Sequence, residues 1–138
     1  MREAQNSYYN ALPDIVADYM KKISEVTGRN YAPFVYYGDP EASDIIVAMS
    51  SVCECAKEVI DHLRAKGQKV GILCVHLYRP CSEKYFFEAL PKSVKRIAVL
   101  DRTKEPGSVG EPLYTDVCAL FTNKQNTPKI IGGRYGLS

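Results

Sequence analysis

Apolar positions in the first quarter of the chain recur with a helical period. Ile15, Val16, Tyr19, Met20, Ile23 and Val26 form one stripe, and Lys21, Lys22 and Glu25 lie on the opposite side, as in an amphipathic helix. Pro13 suits a first turn or a kink. The regular helix is therefore expected to start near Leu12, with Asn10 as its cap and Gly28 as its stop.

The period then shortens. Phe34 to Tyr37 is an aromatic and β-branched run ahead of Gly38-Asp39-Pro40, which predicts a strand. Asp44 to Met49 carries the continuous run Ile45-Ile46-Val47-Ala48-Met49, the mark of a strand buried on both faces. Ser51 and Glu54 have capping-box spacing. Val52, Cys55, Ala56, Val59, Ile60 and Leu63 give the next helix its apolar face, and Gly67 closes it. Val70 to Leu77 predicts another buried strand. Ser82 is the expected cap of a short helix holding Phe86, Phe87 and Leu90, which Pro91 ends. Lys95 to Leu100 is a third buried strand, and the loop Asp101 to Pro112 follows it. Leu113, Val117, Leu120 and Phe121 make a short helix. Pro128 to Ile131 is a last strand, ahead of Gly132-Gly133-Arg134-Tyr135-Gly136.

Strand and helix alternate with short connections, which specifies an open, doubly wound α/β fold with helices on both faces of a mostly parallel sheet. Ligands in such folds collect beyond the carboxyl ends of the strands. Here those ends are Ser50-Ser51, Tyr78-Arg79-Pro80, Asp101 to Gly107, and Gly132 to Gly136.

Composition narrows the class. The chain has 138 residues, 46% hydrophobic and 25% charged, which suits one globular domain over residues 1–138 that needs no metal or disulfide staple. Eighteen basic residues against 16 acidic ones give a net charge of +2, so no nucleic-acid partner is expected. No run approaches the roughly 20 apolar residues of a membrane span, and Met1 to Tyr9 lacks the apolar centre of a signal peptide. Five cysteines without a framework suit a reducing, cytoplasmic setting.

The chemical candidates are few. Ser50-Ser51 opens a helix after a buried strand, where free amides favour an anion. Neither G-x-G-x-x-G nor G-x-x-x-x-G-K-[ST] is present, and a plain cap accounts for the same residues. A free-standing module that binds an anionic ligand or nucleotide at the strand ends therefore stays open as the alternative reading. Cys53 and Cys55 are two residues apart and point to opposite sides of a helix, with Cys55 expected on the apolar face. No cysteine spacing matches a zinc or iron–sulfur set. His62 is expected to pair with Glu58 on the surface, and His76 ends a strand on the ligand side with no nucleophile assigned to it. The loop Asp101-Arg102-Thr103-Lys104-Glu105-Pro106-Gly107 concentrates charges of both signs. It reads equally as an interface segment or as a salt-bridged local cap.

In this loop the chain resembles a known family. IAVLDRTKEPGSVGEPLYTDV, from Ile97 to Val117, is similar to a signature of pyruvate:ferredoxin (flavodoxin) oxidoreductases. The likeness extends through Tyr8-Tyr9, Pro13-Asp14-Ile15-Val16, Thr27-Gly28-Arg29, Tyr36-Tyr37-Gly38, Ile46-Val47-Ala48-Met49, Leu77-Tyr78-Arg79-Pro80 and Leu90-Pro91. It ends in Pro128-Lys129-Ile130 and Gly132 to Ser138. The resemblance implies the second domain of those enzymes, excised from a longer multidomain chain and similar to the carboxyl-terminal domain of transketolase. That fold is a three-layer α/β/α sandwich on a mostly parallel five-stranded sheet whose first strand is antiparallel.

The resemblance further implies oxidative decarboxylation of pyruvate to acetyl-CoA by the full-length enzyme, with thiamine diphosphate, magnesium, iron–sulfur clusters and coenzyme A. Electrons pass to ferredoxin or flavodoxin, and the parent is a homodimer. The thiamine-binding and cluster-binding motifs belong to other domains. No catalytic, cofactor-binding or metal-binding residue is therefore carried over, and the isolated domain is expected to be inactive. Asp101, Arg102, Lys104, Glu105 and Gly107 are the expected interdomain contacts, especially to the thiamine-binding domain, with Arg79 and Arg134 joining the same surface. Two positions depart from the family pattern. Ser50 stands where a glycine usually precedes Ser-Val, and Cys81 where a phenylalanine usually follows Tyr-Arg-Pro.

Overall fold

A computed structural model describes residues 3–136. After a short 3-10 turn at Glu3–Gln5 come helix α1 (Asn6–Thr27), strands β1 (Phe34–Gly38) and β2 (Asp44–Met49), and helix α2 (Val52–Ala65). These are followed by β3 (Val70–Val75), α3 (Glu83–Ala89), β4 (Arg96–Asp101), α4 (Pro112–Leu120) and β5 (Lys129–Arg134). Leu137 and Ser138, the end of the family-like segment, lie outside the described residues.

The strands form one five-stranded sheet in the order β1-β3-β2-β4-β5. β1 runs antiparallel to β3, with Phe34 opposite Val75 and Gly38 opposite Gly71. Every other pairing is parallel. The architecture is the three-layer α/β/α fold with an antiparallel first strand, as expected.

Side-chain alternation sorts the core into two halves. Ile45, Val47, Leu73, Val75, Ile97 and Val99 point to the face covered by α3 and α4, where they meet Phe86, Leu113 and Val117. Phe86 is fully buried and packs edge-to-face on Phe34, Phe87 and Phe121 at 5.5, 5.3 and 5.9 Å between ring centres, the arrangement that ring quadrupoles favour. Ala48, Ile72 and Cys74 point to the other face, under Cys53 and Ile60 of α2.

Several local expectations are corrected. α1 starts at Asn6, well before Leu12, and Pro13 sits inside it as its only buried residue. The expected apolar stripe splits: Val16 and Met20 are half-buried, whereas Ile15, Tyr19, Ile23 and Val26 are exposed. On α2 the inward cysteine is Cys53, and Cys55 is exposed. The helix is phased by Cys53, Ala56 and Ile60, which follow the period of 3.6 onto the sheet. Among the described residues, His62 makes no ion pair with Glu58; the pairs on that helix are Lys57–Glu54 and Arg64–Asp61.

No described helix is long and apolar enough to cross a membrane.

Candidate functional site

β2, β4 and β5 end on one side of the sheet, and the loop after β4 lies between the start of α4 and the end of β5. Asp101 closes β4 and is buried. Its carboxylate accepts the amides of Leu113 at 2.9 Å and Tyr114 at 3.1 Å. These are free donors in the first turn of α4. The residue at the cap position, Glu111, makes no such bond. The cap therefore comes from a strand, with the whole Arg102–Gly110 loop between donor and acceptor. The carbonyl of Asp101 accepts the amide of Tyr135 at 3.1 Å, which ties the end of β5 to the same point.

Glu111 performs the second anchoring. One oxygen accepts the amide of Glu105 at 2.7 Å, and the other accepts Nη1 of Arg134 at 2.8 Å. Desolvation pushes its carboxyl pKa up. The Glu105 amide and the Arg134 guanidinium outweigh that and hold it below the ordinary glutamate value. Gly107 turns the loop at φ 77°, in the left-handed region. Gly110 must be a glycine for space, since a Cβ there would lie 2.4 Å from the ring of Tyr114.

A polar recess of about 440 Å³ results, lined by Lys104, Ser108, Gly110, Glu111, Tyr114 and Arg134 among others. Beside it, Arg79 makes a two-pronged bond to Asp116 of α4, Nε to Oδ2 at 3.0 Å and Nη2 to Oδ1 at 3.1 Å, the geometry in which guanidinium and carboxylate match best. The Tyr78 hydroxyl is buried there with no hydrogen-bond partner.

The structure thus gathers Asp101, Glu105, Gly107 and Arg134 around one loop, with Arg102 packed by Gly136. Arg79, between β3 and α3, is held against α4 by Asp116. Arg102, Lys104, Glu105 and Gly107 are exposed, whereas Asp101 is turned inward. Glu111 and Asp116 went unnamed in the sequence reading, although each carried a signal. Glu111 directly precedes Pro112, a first-turn proline, and Asp116 is the one acid inside α4.

The Ser50-Ser51 turn is not built as a capping box. Ser51 makes no side-chain cap bond, and Ser50 sits at φ 70°. His76 is exposed, and its Nδ1 donates to the carbonyl of Ala32 at 3.0 Å.

Carboxylates at strand ends invite a test against magnesium and a diphosphate, which need free oxygen donors. Asp101 and Glu111 have both oxygens engaged by the chain's own donors. The other acid of the loop, Glu105, lies among the exposed charges. The residues do not fit that group.

Residues 42–136 match the family model of pyruvate:ferredoxin oxidoreductase core domain II. The chain belongs to this family. Core domain II here is 60% identical over 136 residues to a pyruvate-flavodoxin oxidoreductase of Enterobacter agglomerans, covering 99% of this chain and 12% of that protein. It is 52% identical over 136 residues to the pyruvate:ferredoxin oxidoreductase of Moorella thermoacetica, again covering 12% of it. The chain thus spans about an eighth of the relatives' length. A solved 2-oxoglutarate:ferredoxin oxidoreductase from Magnetococcus marinus shares the fold, with a TM-score of 0.54 at 19% identity over 85% of this chain and 19% of that one. These relations favour an oxidoreductase domain over the free-standing anion-binding module.

Proposed function

We propose that this chain is a scaffold domain, excised from a multidomain pyruvate:ferredoxin or pyruvate:flavodoxin oxidoreductase. The parent acts in the cytoplasm as a homodimer, converts pyruvate to acetyl-CoA and carbon dioxide, and passes the electrons to ferredoxin or flavodoxin. Thiamine diphosphate, magnesium, iron–sulfur clusters and coenzyme A are held by its other domains, and no step of the reaction is routed through residues of this chain.

The observation that carries this reading is the pair of coverages: 99% of this chain aligns with 12% of its relative. The site supports it. The acids at the two ends of the loop, Asp101 and Glu111, are spent on the chain's own donors, which holds the loop as a fixed surface rather than a reactive one. Arg102, Lys104, Glu105 and Gly107 face outward from it, available to the thiamine-binding domain, with Arg79 and Arg134 beside them.

Two measurements test the reading. The purified 138-residue chain, given pyruvate, coenzyme A, thiamine diphosphate and magnesium, should not reduce a viologen dye; turnover would overturn it. In the full-length enzyme, reversing Arg102 and Lys104 to glutamate should lower activity and loosen the assembly while this domain stays folded. Unchanged activity and assembly would remove the interdomain role.

A further inference from the structure

Two of the free cysteines lie against each other. Cys53 stands in the first turn of α2 and Cys74 near the end of β3. Both are buried, to 5% and 2% exposure, in the small core between α2 and the sheet that Ala48, Ile60 and Ile72 complete. The Cys53 thiol donates a hydrogen bond to the Cys74 sulfur. A buried cysteine on its own is a small apolar side chain. Two in contact, from different elements, form a dithiol.

The pair is polarised. The hydrogen bond from Cys53 is the main reason that the Cys74 thiol is held below its ordinary pKa, and the Lys57 ammonium adds to it. Burial and the Glu54 carboxylate push the other way and are outweighed. Lys57 stands one turn after Cys53 on the same side of the helix. It is bonded to Glu54 at 2.7 Å and lies over the Tyr37 ring of β1 at 5.8 Å. The same hydrogen bond keeps the Cys53 proton in place and pushes that thiol up, with desolvation adding to it. Cys74 is therefore the sulfur that attacks and Cys53 the one that follows.

Access comes through the helix start. Ser51 gives α2 no side-chain cap. The first turn rests on the amides of Cys53 and Glu54, which donate to the carbonyls of Ser50 and Ser51 at 3.1 and 3.3 Å. These are long for such bonds, and Ser50 sits at φ 70° just ahead of them. An uncapped first turn opens at less cost than the rest of its helix, and opening this one uncovers both sulfurs.

We propose that Cys53 and Cys74 form a reversible dithiol that a hydroperoxide closes to a disulfide. The Cys74 thiolate attacks one peroxide oxygen. The O–O bond breaks, hydroxide leaves and is protonated to water, and Cys74 becomes a sulfenic acid. The Cys53 sulfur then attacks the Cys74 sulfur. The S–O bond breaks, and the departing hydroxide takes the Cys53 proton as a second water. Two thiols are oxidised and one peroxide is reduced to two waters. The closed form bolts the first turn of α2 to β3 and fixes the Ser50-Ser51 bend beyond β2, and thiol exchange in a reducing setting reopens it. The inference uses only this chain's own residues and does not depend on the parent reaction proposed above.

Hydrogen peroxide is the probe. The 138-residue chain carrying Cys55→Ser, Cys81→Ser and Cys118→Ser keeps only the pair. Untreated, unfolded in urea and alkylated with iodoacetamide, it should take two adducts. After peroxide it should take none and weigh two hydrogens less, and dithiothreitol should restore both adducts. Closing a loop of about 20 residues should also raise Tm by roughly 5–10 °C. In the same background Cys53→Ala should leave Cys74 as a sulfenic acid that dimedone captures, whereas Cys74→Ala should leave Cys53 alkylated as before. Peptide mapping of the peroxide-treated wild type should place the bond between Cys53 and Cys74, whether or not the triple variant folds. Two adducts remaining after a peroxide dose that oxidises the exposed Cys55 of the wild type would overturn the proposal. So would a bond that maps to Cys55 or Cys81, or dimedone capture at Cys53 in Cys74→Ala.

Discussion

Asp101 at the end of β4 caps α4 through the amide of Leu113, 2.9 Å from its carboxylate. The neighbouring Tyr114 amide binds the second oxygen at 3.1 Å, so one buried side chain sets the distance between strand, loop and helix. Removing it leaves one buried and one partly buried donor without an acceptor. Asp101→Ala should destabilise the domain by about 3 kcal/mol, from the lost cap and the unpaired amides together. Asp101→Asn keeps one acceptor oxygen and should cost about 1–2 kcal/mol. Urea denaturation of the two variants measures both. Equal, small losses would mean that the cap carries little.

Glu111 makes the loop sensitive to acid. Its folded-state pKa lies below the ordinary value, against the push of desolvation, because the Glu105 amide and Arg134 favour the charged form. A carboxyl depressed by folding stabilises the fold above its unfolded pKa, about 4.3 for glutamate. That contribution fades as pH falls through the lower folded value. Thermal unfolding followed from pH 7 down to about pH 3 should therefore show the wild type losing more stability than Glu111→Gln. Parallel curves would show that the ion pair with Arg134 does not matter to the fold.

β2, β3 and β4 were plain in the sequence because each is apolar on both faces. The runs at Ile45, Ile72 and Ile97 are continuous and rich in β-branched residues, unlike the run Val117 to Leu120, which is helical. Their ends moved by a residue or two, since hydrogen-bonded pairing rather than hydrophobicity sets where a strand stops. Helix starts were harder to read. A serine with a glutamate three residues on predicts a capping box, but Ser51 has helical backbone angles, φ −60° and ψ −26°. A serine side chain caps from extended backbone, and Ser50 had already taken the bend. The strand-end network was the least legible part. Asp101 acts on residues 12 and 13 positions away, a relation that no local spacing contains.

Ser50 offers a change in the favourable direction. Its φ of 70° is a backbone state that side chains resist, and its own side chain is exposed. Such strain costs of order 1–3 kcal/mol, and glycine removes it while adding roughly 0.5–1 kcal/mol of unfolded-chain entropy. Ser50→Gly should raise stability by about 1 kcal/mol, or roughly 3–4 °C in Tm for a domain of this size. Ser51→Gly, one residue on at φ −60°, gains no such relief and should lower Tm. Calorimetry of the pair is decisive, because the two neighbouring substitutions are expected to move in opposite directions.

Tyr78 carries the last expectation. Its hydroxyl is buried beside the Arg79–Asp116 pair and has no hydrogen-bond partner. Burial is also the main reason its pKa is pushed up to about 12, with Asp116 adding to it. An unsatisfied buried hydroxyl costs about 1–3 kcal/mol, whereas the ring packs against the core on the α3–α4 side of the sheet and keeps that contact as phenylalanine. Tyr78→Phe should therefore leave the domain at least as stable as the wild type, by up to about 1 kcal/mol more. The Arg79→Ala variant separates the ring's role from its neighbour's. Arg79 lies over the Tyr78 ring at 4.9 Å as well as bonding Asp116, and because its own side chain is largely exposed the pair should contribute about 1 kcal/mol. A clear loss in Tyr78→Phe, measured by urea denaturation, would mean that the hydroxyl has found a partner in solution, and Asp116 is the acceptor within reach.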